Sequence, residues 1–334
     1  MYPNRTIEDL HQPRRIVLRG IATLFVVCML GCSTAYAWHA TGHKATAAIA
    51  FEQLSAADQS AVIAILRQHP RFAEDFVAHM PADMSARSDA EMGSWLMQQA
   101  SIWPDLIQTL DEEVRRKYNN SRWHYINLLV WLTPEDESAL SHSLDHNMET
   151  QFNPPMRRNL NAVQALRGNL ATWRDPGASD ADKAVALCWI LHLTGDLHQP
   201  LHTVALFSRA WFPEGDRGGN SIEVAWGDET RNLHAVWDGL PTHMEDLSPS
   251  EQTLRSIDDD VVDDAAIDEW LHHHANLARR FVYTDDLRSQ LVAKLSAERP
   301  PLVTLSHEYL VAARSLARRQ INLAGHRIAR LLQD

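Results

Sequence analysis

The stretch HLTGDLHQPLH, residues 192–202, contains three of the chain's 18 histidines. It closes an apolar run with helical spacing, and Pro200 ends the helix that this run predicts. His192 and Asp196 are spaced i, i+4, which puts both side chains on one face of that helix. Imidazole nitrogens and carboxylate oxygens are the ligands of hydrolytic zinc sites. The stretch therefore predicts a helix that carries metal ligands at its C-terminal end.

A second pair with the same spacing is His234 and Asp238, in NLHAVWD (232–238). His202 lies between the two pairs, where the chain turns after Pro200. One such pair alone is more typical of a hydrogen-bonded histidine in a protein core. Two pairs with a third histidine between them, in a chain of 18 histidines, favour a metal centre.

Apolar residues recur at helical spacing through most of the chain. The segments with this pattern are 42–66, 88–101, 157–173, 181–197, 264–282 and 302–332. Only 217–226 is typical of extended structure, and its two adjacent glycines indicate a turn. No repeat, low-complexity segment or linker interrupts the pattern. We therefore predict a single all-α domain with a small extended hairpin near 217–226.

The first 37 residues are typical of a secretory signal peptide. The basic region, the apolar region and the small-residue cleavage site are residues 14–19, 20–31 and 35–37. The apolar region is shorter than the ~20 residues that a membrane span needs. We expect cleavage after Ala37 and a periplasmic or secreted domain of residues 38–334 without a membrane span. A lipoprotein site at Cys32 and a twin-arginine signal at Arg14-Arg15 are the rival interpretations.

The expected mature chain is acidic. Its 297 residues contain 27 basic and 41 acidic side chains, a net charge of −14. Such a surface is poorly suited to binding a polyanion through Lys and Arg alone. An anionic substrate would therefore need positive charge from another source at the site. Cys188 is the one cysteine beyond the first 37 residues, and its place in an apolar helical run predicts a core residue.

Taken together and in order, the motifs resemble those of the S1/P1 nucleases, zinc-dependent single-strand nucleases related to the bacterial zinc phospholipases C. The matching motifs are WHATGH (38–43), SIWPD (101–105), WHYIN (123–127), HLTGDLHQPLH (192–202), GGNSIEV (218–224) and NLHAVWD (232–238). The segment ARRQINLAGHRIARLL (317–332) is also similar to the last helix of the family. The resemblance spans residues 38 to about 332, and it implies one helical domain of the phospholipase C/nuclease type.

The resemblance implies three zinc ions and nine ligands. The first zinc would be held by Asp105, His124, His192 and Asp196. The second would be held by Trp38, through its free α-amino group and carbonyl, with His43 and the shared Asp196. The third would be held by His202, His234 and Asp238. Signal cleavage after Ala37 would therefore create a ligand, because an α-amine of near-neutral pKa loses its proton readily to a metal.

The resemblance also implies a reaction. Two close zinc ions would share a hydroxide that attacks single-stranded DNA or RNA, or a 3′-nucleotide, and a third would stabilise the departing 3′ oxygen, so that the nucleic acids yield 5′-nucleotides. Asp105 and Asp196 are the expected catalytic carboxylates, and Asp105 would also orient the hydroxide. The positive charge of three zinc ions would exceed the negative charge of the three aspartates, so an acidic protein would present a positive cleft. Tyr125 and Asn127 are the expected base contacts, although fungal relatives carry an acidic residue at the second position.

Two other functions remain open from the sequence. A zinc phospholipase C of this superfamily closes its third site with His-x-x-x-Glu, whereas this chain has His234 and Asp238. A non-catalytic zinc-binding protein would have coordinatively closed sites, whereas aspartate-rich sites leave room for water. The sequence indicates no protein partner. These alternatives are separable by assays on nucleic acid and on phospholipid.

Three further features need a structural test. The aromatic residues Phe207, Trp211 and Phe212, in the predicted loop 205–220, either stack unpaired bases or pack the loop onto the protein. The consecutive residues His272–His274 point around a helix, so we do not expect them to share a metal ion. His198 is expected to support a ligand rather than to bind metal.

Overall fold

The computed structural model describes residues 38–153, 159–243 and 264–333, so the predicted signal peptide lies outside the described residues. The helices are α1 (Ala40–Gln53), α2 (Ala56–Leu66), α3 (Asp89–Leu106), α4 (Glu112–Tyr118), α5 (Pro134–Leu140), α6 (Ala162–Arg174), α7 (Asp180–Leu197), α8 (Leu233–Gly239), α9 (Asp264–Leu277), α10 (Asp285–Val292) and α11 (His307–Gln333). The short strands are β1 (Leu128–Trp131), β2 (Val204–Phe207), β3 (Glu223–Trp226), β4 (Glu229–Asn232) and β5 (Val303–Thr304). The predicted all-α class is confirmed.

Helix α7 lies at the centre of the fold. It begins where predicted, because the Ser179 side chain accepts a hydrogen bond from the backbone N–H of Asp182. Every residue from 186 to 197 is buried, since α3 and α6 both pack against this helix. Each fully buried Leu or Ile contributes about 1.5–3 kcal/mol. The helix that carries His192 and Asp196 is therefore held rigidly from several sides.

Two predicted helices differ in their bounds from the observed ones. The predicted segment 42–66 is two helices, because Ser55 accepts a hydrogen bond from Asp58 N–H and starts α2. Ser88 and Glu91 form a capping box that starts α3 as predicted. That helix runs on to Leu106 rather than ending at residue 101. The extension places Asp105 on a helix, in its last turn.

The strands correct the prediction of extended structure. The hairpin consists of β3 and β4, so residues 217–222 precede it as a turn-rich segment rather than forming part of a strand. Strand β3 also pairs in parallel with β5. The sequence prediction missed the parallel pair of β1 and β2 entirely. This pair matters for the site, since Ile126 N–H donates a hydrogen bond to the His202 carbonyl just before it begins.

The hydrophobic core consists of two clusters. One contains side chains of α1, α2, α3, α6 and α7, with Cys188 fully buried in it as predicted. The other contains side chains of β1, β2, β3 and β5, of α8 and of the first half of α11. Phe207 and Phe212 are buried, which corrects the loop assignment of Phe207 and favours packing over base stacking for both. Along the described ranges, we find no helix with both the length and the apolar character of a membrane span.

Candidate metal centre

Four side chains predicted to share one zinc lie together at the end of α7; we call Asp105, His124, His192 and Asp196 the first set. His192 Nε2 lies 3.0 Å from His124 Nδ1 and 3.4 Å from Asp196 Oδ2. His124 Nδ1 is 3.2 Å from the same Asp196 oxygen. Asp105 Oδ1 is 3.6 Å from His192 Nε2 and 3.9 Å from His124 Nδ1. Five of the six separations within this set are thus those of side chains converging on one point.

Asp196 also faces a second group, because its other oxygen points elsewhere. Asp196 Oδ1 lies 3.3 Å from His43 Nε2, whereas Oδ2 contacts the first set. The His43 ring stacks on that of His192 at 4.0 Å between centroids. This close approach requires Gly195, since a Cβ there would lie 2.7 Å from His43 Nδ1. The geometry is that of a carboxylate shared between two neighbouring sites.

The predicted second set also includes Trp38, whose indole is fully buried. Trp38 packs against Gly42 in the first turn of α1, the helix that carries His43. The next residue, His39, donates its backbone N–H to the Asp238 carbonyl at 3.0 Å. The backbone at residue 38 therefore lies between the helix of His43 and the helix of Asp238.

His202, His234 and Asp238 form the third set. His202 Nε2 and His234 Nε2 are 3.1 Å apart, and Asp238 Oδ2 is 3.3 Å from His234 Nε2. His202 follows the turn after Pro200, whereas the other two lie on α8 with i, i+4 spacing. Gln199 Nε2 donates a 2.8 Å hydrogen bond to Asp238 Oδ1, which leaves the other oxygen facing the histidines.

Backbone carbonyls fix the orientation of three of the histidines. The Nδ1–H groups of His192, His202 and His234 donate to the carbonyls of Ser101, His124 and Gly218 at 2.8, 2.5 and 2.6 Å. A proton on Nδ1 leaves the lone pair of Nε2 directed into the site. Metal-binding histidines usually donate their other ring N–H to a carbonyl or carboxylate in this way.

The donor atoms fit zinc in type and in spacing. Zinc bonds of about 2.0–2.1 Å in tetrahedral geometry place neighbouring ligand atoms about 3.3 Å apart. The separations within the sets range from 3.0 to 3.9 Å. Both oxygens of Asp196, both ring nitrogens of His43 and Nε2 of His124 are buried without a hydrogen-bond partner. A buried carboxylate without donors is costly, so a cation at this point would remove a large penalty.

The pKa values favour the neutral form for one histidine of the first set and one of the third. Burial lowers the pKa of His192 well below its usual value, and that of His234 to about 3. Burial opposes the charge of His124, but the neighbouring Asp196 and Asp105 raise its pKa. Neutral imidazole is the form that binds metal.

The three aspartates of these sets differ in the direction of their pKa shifts. Burial raises the pKa of Asp105 to about 7 and that of Asp238 well above its usual value. Burial also acts to raise the pKa of Asp196, but the surrounding histidines lower it well below the usual value. Asp196 is therefore the carboxylate that remains charged in this environment, as a shared ligand would need.

The expected base contacts lie beside the first set. Tyr125 directly follows His124 and is 41% exposed, in extended backbone. Ile126 is buried, and Asn127 is partly buried. Because side chains alternate along extended backbone, Tyr125 and Asn127 share a face that is open to solvent.

The remaining histidines lie outside the three sets. His272 and His273 are exposed while His274 is buried, so the three do not converge on one point. His198 Nδ1–H donates to the Thr194 carbonyl at 2.6 Å, and its Nε2 accepts from Arg327 Nη1 at 2.8 Å. His198 thus braces the last turn of α7 instead of facing a ligand set.

A comparison with protein families identifies the fold that carries these ligands. The S1/P1 nuclease family model matches residues 38–334. The chain belongs to the S1/P1 nuclease family. The resemblance predicted from the motifs is thereby confirmed, and the ligand sets lie on the α1, α3, α7 and α8 helices of an S1/P1 nuclease domain and on the turns at residues 121–124 and 200–202.

Curated relatives of this S1/P1 nuclease domain include plant and fungal enzymes. Endonuclease 2 of Arabidopsis thaliana is 27% identical over 205 residues, 61% of this chain and 55% of the relative. Endonuclease 1 of the same plant is 27% identical over 230 residues, 66% of this chain and 59% of the relative. Nuclease S1 of Aspergillus oryzae is 32% identical over 106 residues, 28% of this chain and 32% of the relative. The chain thus aligns with little more than half the length of the two plant relatives.

Proposed function

We propose that this chain is a zinc-dependent nuclease that hydrolyses single-stranded DNA and RNA to 5′-nucleotides, and 3′-nucleotides to nucleosides and phosphate. The observation that carries the proposal is the convergence of buried His and Asp side chains into three groups whose ligand atoms lie within 4.8 Å of one another: His43, Asp105 and His192; His124, His192 and Asp196; and His202, His234 and Asp238. The printed names of the relatives, endonucleases and nuclease S1, support the same reaction class. We further propose that residues 38–334 are the exported domain, released by cleavage after Ala37.

Each set would hold one zinc ion. The first would use Asp105, His124, His192 and Asp196, and the second would use Trp38, His43 and Asp196. The third would use His202, His234 and Asp238. Bound zinc supplies Lewis-acid polarisation of a phosphodiester and a nucleophilic water at neutral pH. The N-terminal amine of Trp38 would join the second set, since its backbone lies between α1 and α8.

The two catalytic carboxylates have different tasks in this proposal. Asp196 is fully buried, and its two oxygens face different sets, so it would fix the separation of the two sites. Asp105 is 8% exposed and is the most accessible of the three aspartates. It would accept a hydrogen bond from the attacking water and so orient it toward phosphorus.

Tyr125 would bind the base next to the scissile bond. Tyr125 directly follows His124 in the chain and is exposed, and an aromatic ring stacks any unpaired base without reading sequence. The partly buried Asn127, on the same face, would donate or accept a hydrogen bond at the base edge. A base in a duplex must first unstack, at a cost of a few kcal/mol. Single strands should therefore be cleaved faster than duplexes.

One assay tests the proposal against its rivals. The purified protein, with zinc, is incubated with single-stranded DNA, RNA, a matched duplex and phosphatidylcholine vesicles. We expect 5′-nucleotides from the single strands, a slower reaction on the duplex and none on the vesicles. Turnover of phosphatidylcholine alone would identify a phospholipase C. Zinc binding without any turnover would identify a binding protein, and equal rates on single strand and duplex would exclude the base contact at Tyr125.

A further inference from the structure

Asp216 is a buried carboxylate that the proposed reaction does not use. Its side chain is fully buried, and Oδ1 accepts a 2.9 Å hydrogen bond from Leu206 N–H in β2. Oδ2 accepts from Gly219 N–H at 2.9 Å and from the Tyr283 hydroxyl at 2.7 Å. One carboxylate therefore joins strand β2, the segment 216–222 and Tyr283, which lies two residues before α10.

The segment 216–222 supplies the carbonyl that orients His234. The Gly218 carbonyl accepts the Nδ1–H of His234 at 2.6 Å. Gly218 has a positive φ of 60°, and a Cβ there would lie 2.3 Å from the Leu201 carbonyl oxygen. The carbonyl of Gly219 also accepts the backbone N–H of His234 at 3.4 Å. The segment thus contacts His234 through two carbonyls, and Asp216 accepts a hydrogen bond from its central residue, Gly219.

We propose that Asp216 is a positioning residue of the third set. Its carboxylate fixes the segment 216–222, so that the Gly218 carbonyl keeps His234 Nε2 directed at His202 and Asp238. The inference deepens the proposed function, because it rests on zinc binding by the third set but not on the substrate. Groups that orient a metal ligand typically change metal affinity by 10- to 100-fold.

The position specifically requires a carboxylate. Three donors meet its two oxygens, and the amide of Asn offers one acceptor oxygen and one NH2 group. Either orientation of an Asn at position 216 would set that NH2 against a backbone N–H, of Leu206 or of Gly219. Burial raises the pKa of Asp216 to about 6, and its hydrogen-bond donors, Leu206, Tyr283 and Gly219 among them, act against that rise. The group is therefore mainly ionised at neutral pH, which is the form that three donors stabilise.

The experiment measures zinc affinity by competition with chelators of graded strength. Asp216→Asn should weaken one of the three zinc ions by about 10- to 100-fold and leave the other two unchanged. Tyr283→Phe removes one of the three donors and should weaken the same ion by a smaller factor. Asp136→Asn is the matched control, because Asp136 is also a buried carboxylate that accepts a backbone N–H, from Arg209, and a hydroxyl, from Thr133. The control should change none of the three affinities.

A cycle with His234→Ala separates positioning from a general loss of stability. In the His234→Ala background the third ion is already lost, so Asp216→Asn should cause no further loss of zinc. Weakening of all three ions, or an added loss in that background, would overturn the proposal. So would unchanged affinities in Asp216→Asn with a native far-UV circular dichroism spectrum. If that variant does not fold, unchanged affinities in Tyr283→Phe would overturn it.

The same measurements keep the two proposals apart. A wild-type protein that binds three zinc ions but cleaves no nucleic acid would contradict the proposed function and leave the role of Asp216 intact. A wild-type nuclease whose third zinc is indifferent to Asp216→Asn and to Tyr283→Phe would contradict only the positioning role.

Discussion

The charge of Asp105 should destabilise the metal-free protein and stabilise the zinc-loaded one. Without metal, burial raises the pKa of Asp105 from 3.8 to about 7, with added repulsion from Asp196. Below pH 3.8 the group is protonated in both the folded and the unfolded chain, so it contributes nothing. Between pH 3.8 and 7 the folded chain keeps a proton that the unfolded chain has lost, and stability falls as pH rises. Above pH 7 the full penalty applies, about 4 kcal/mol for a difference of about three pKa units.

The substitution Asp105→Asn removes this charge while preserving shape. In metal-free protein at pH 8, the variant should be more stable than the wild type, by up to about 4 kcal/mol. At pH 4 the two should differ little. In zinc-loaded protein the sign should reverse, because an amide is a poorer zinc ligand than a carboxylate and ligand binding stabilises only the folded state that binds.

Urea unfolding at pH 4 and pH 8, in chelator and in stoichiometric zinc, gives four free energies of unfolding for each protein. Asp136→Asn is again the control, since it loses hydrogen bonds to Thr133 and Arg209 that do not involve the ligand sets. It should be destabilised by a similar amount with and without zinc. The reasoning fails if Asp105→Asn destabilises the metal-free protein at pH 8. It also fails if the variant changes the free energy of unfolding of the metal-free and the zinc-loaded protein by the same amount, since Asp105 would then be a structural residue.

Two other substitutions and one N-terminal extension test the ligand sets, with Cys188→Ala as a control. Asp196→Asn should abolish turnover and release two of three zinc ions, since its oxygens face two sets, whereas Cys188→Ala should keep the zinc and the activity; zinc loss in Cys188→Ala would contradict its core assignment. One extra Met before Trp38 converts the α-amine of Trp38 to an amide and should remove one zinc and most activity without altering the far-UV circular dichroism spectrum. Full zinc content in this variant would show that the N-terminus packs in the fold but binds no zinc. Gly195→Ala would press a methyl group against His43 Nδ1, 2.7 Å away, so it should weaken the second set in chelator competition and leave the third intact.

Local helical geometry explains which parts of the centre could be predicted from sequence. The pairs His192–Asp196 and His234–Asp238 have i, i+4 spacing, and their ligand atoms lie 3.4 and 3.3 Å apart. A helix brings such residues together without help from the rest of the fold. The approach of His124 to His192 depends on tertiary packing, and only the family resemblance predicted it.

The missed elements are those whose sequences carry little periodic information. Strands β1 and β2 are four residues each, and β2 is buried throughout, so no alternation distinguishes it from a helix segment. The groups that orient the histidines are backbone carbonyls. Because every residue type has one, the sequence does not reveal which residues supply them. Gly218 is the exception, because its positive φ and its contact with Leu201 restrict the position to glycine.

Anomalous diffraction at the zinc absorption edge, from crystals of the chain that begins at Trp38, would show directly whether nine ligands hold three zinc ions. We predict three peaks: one among Asp105, His124, His192 and Asp196, one among Trp38, His43 and Asp196, and one among His202, His234 and Asp238. A single peak, or peaks remote from these side chains, would contradict the three-zinc centre.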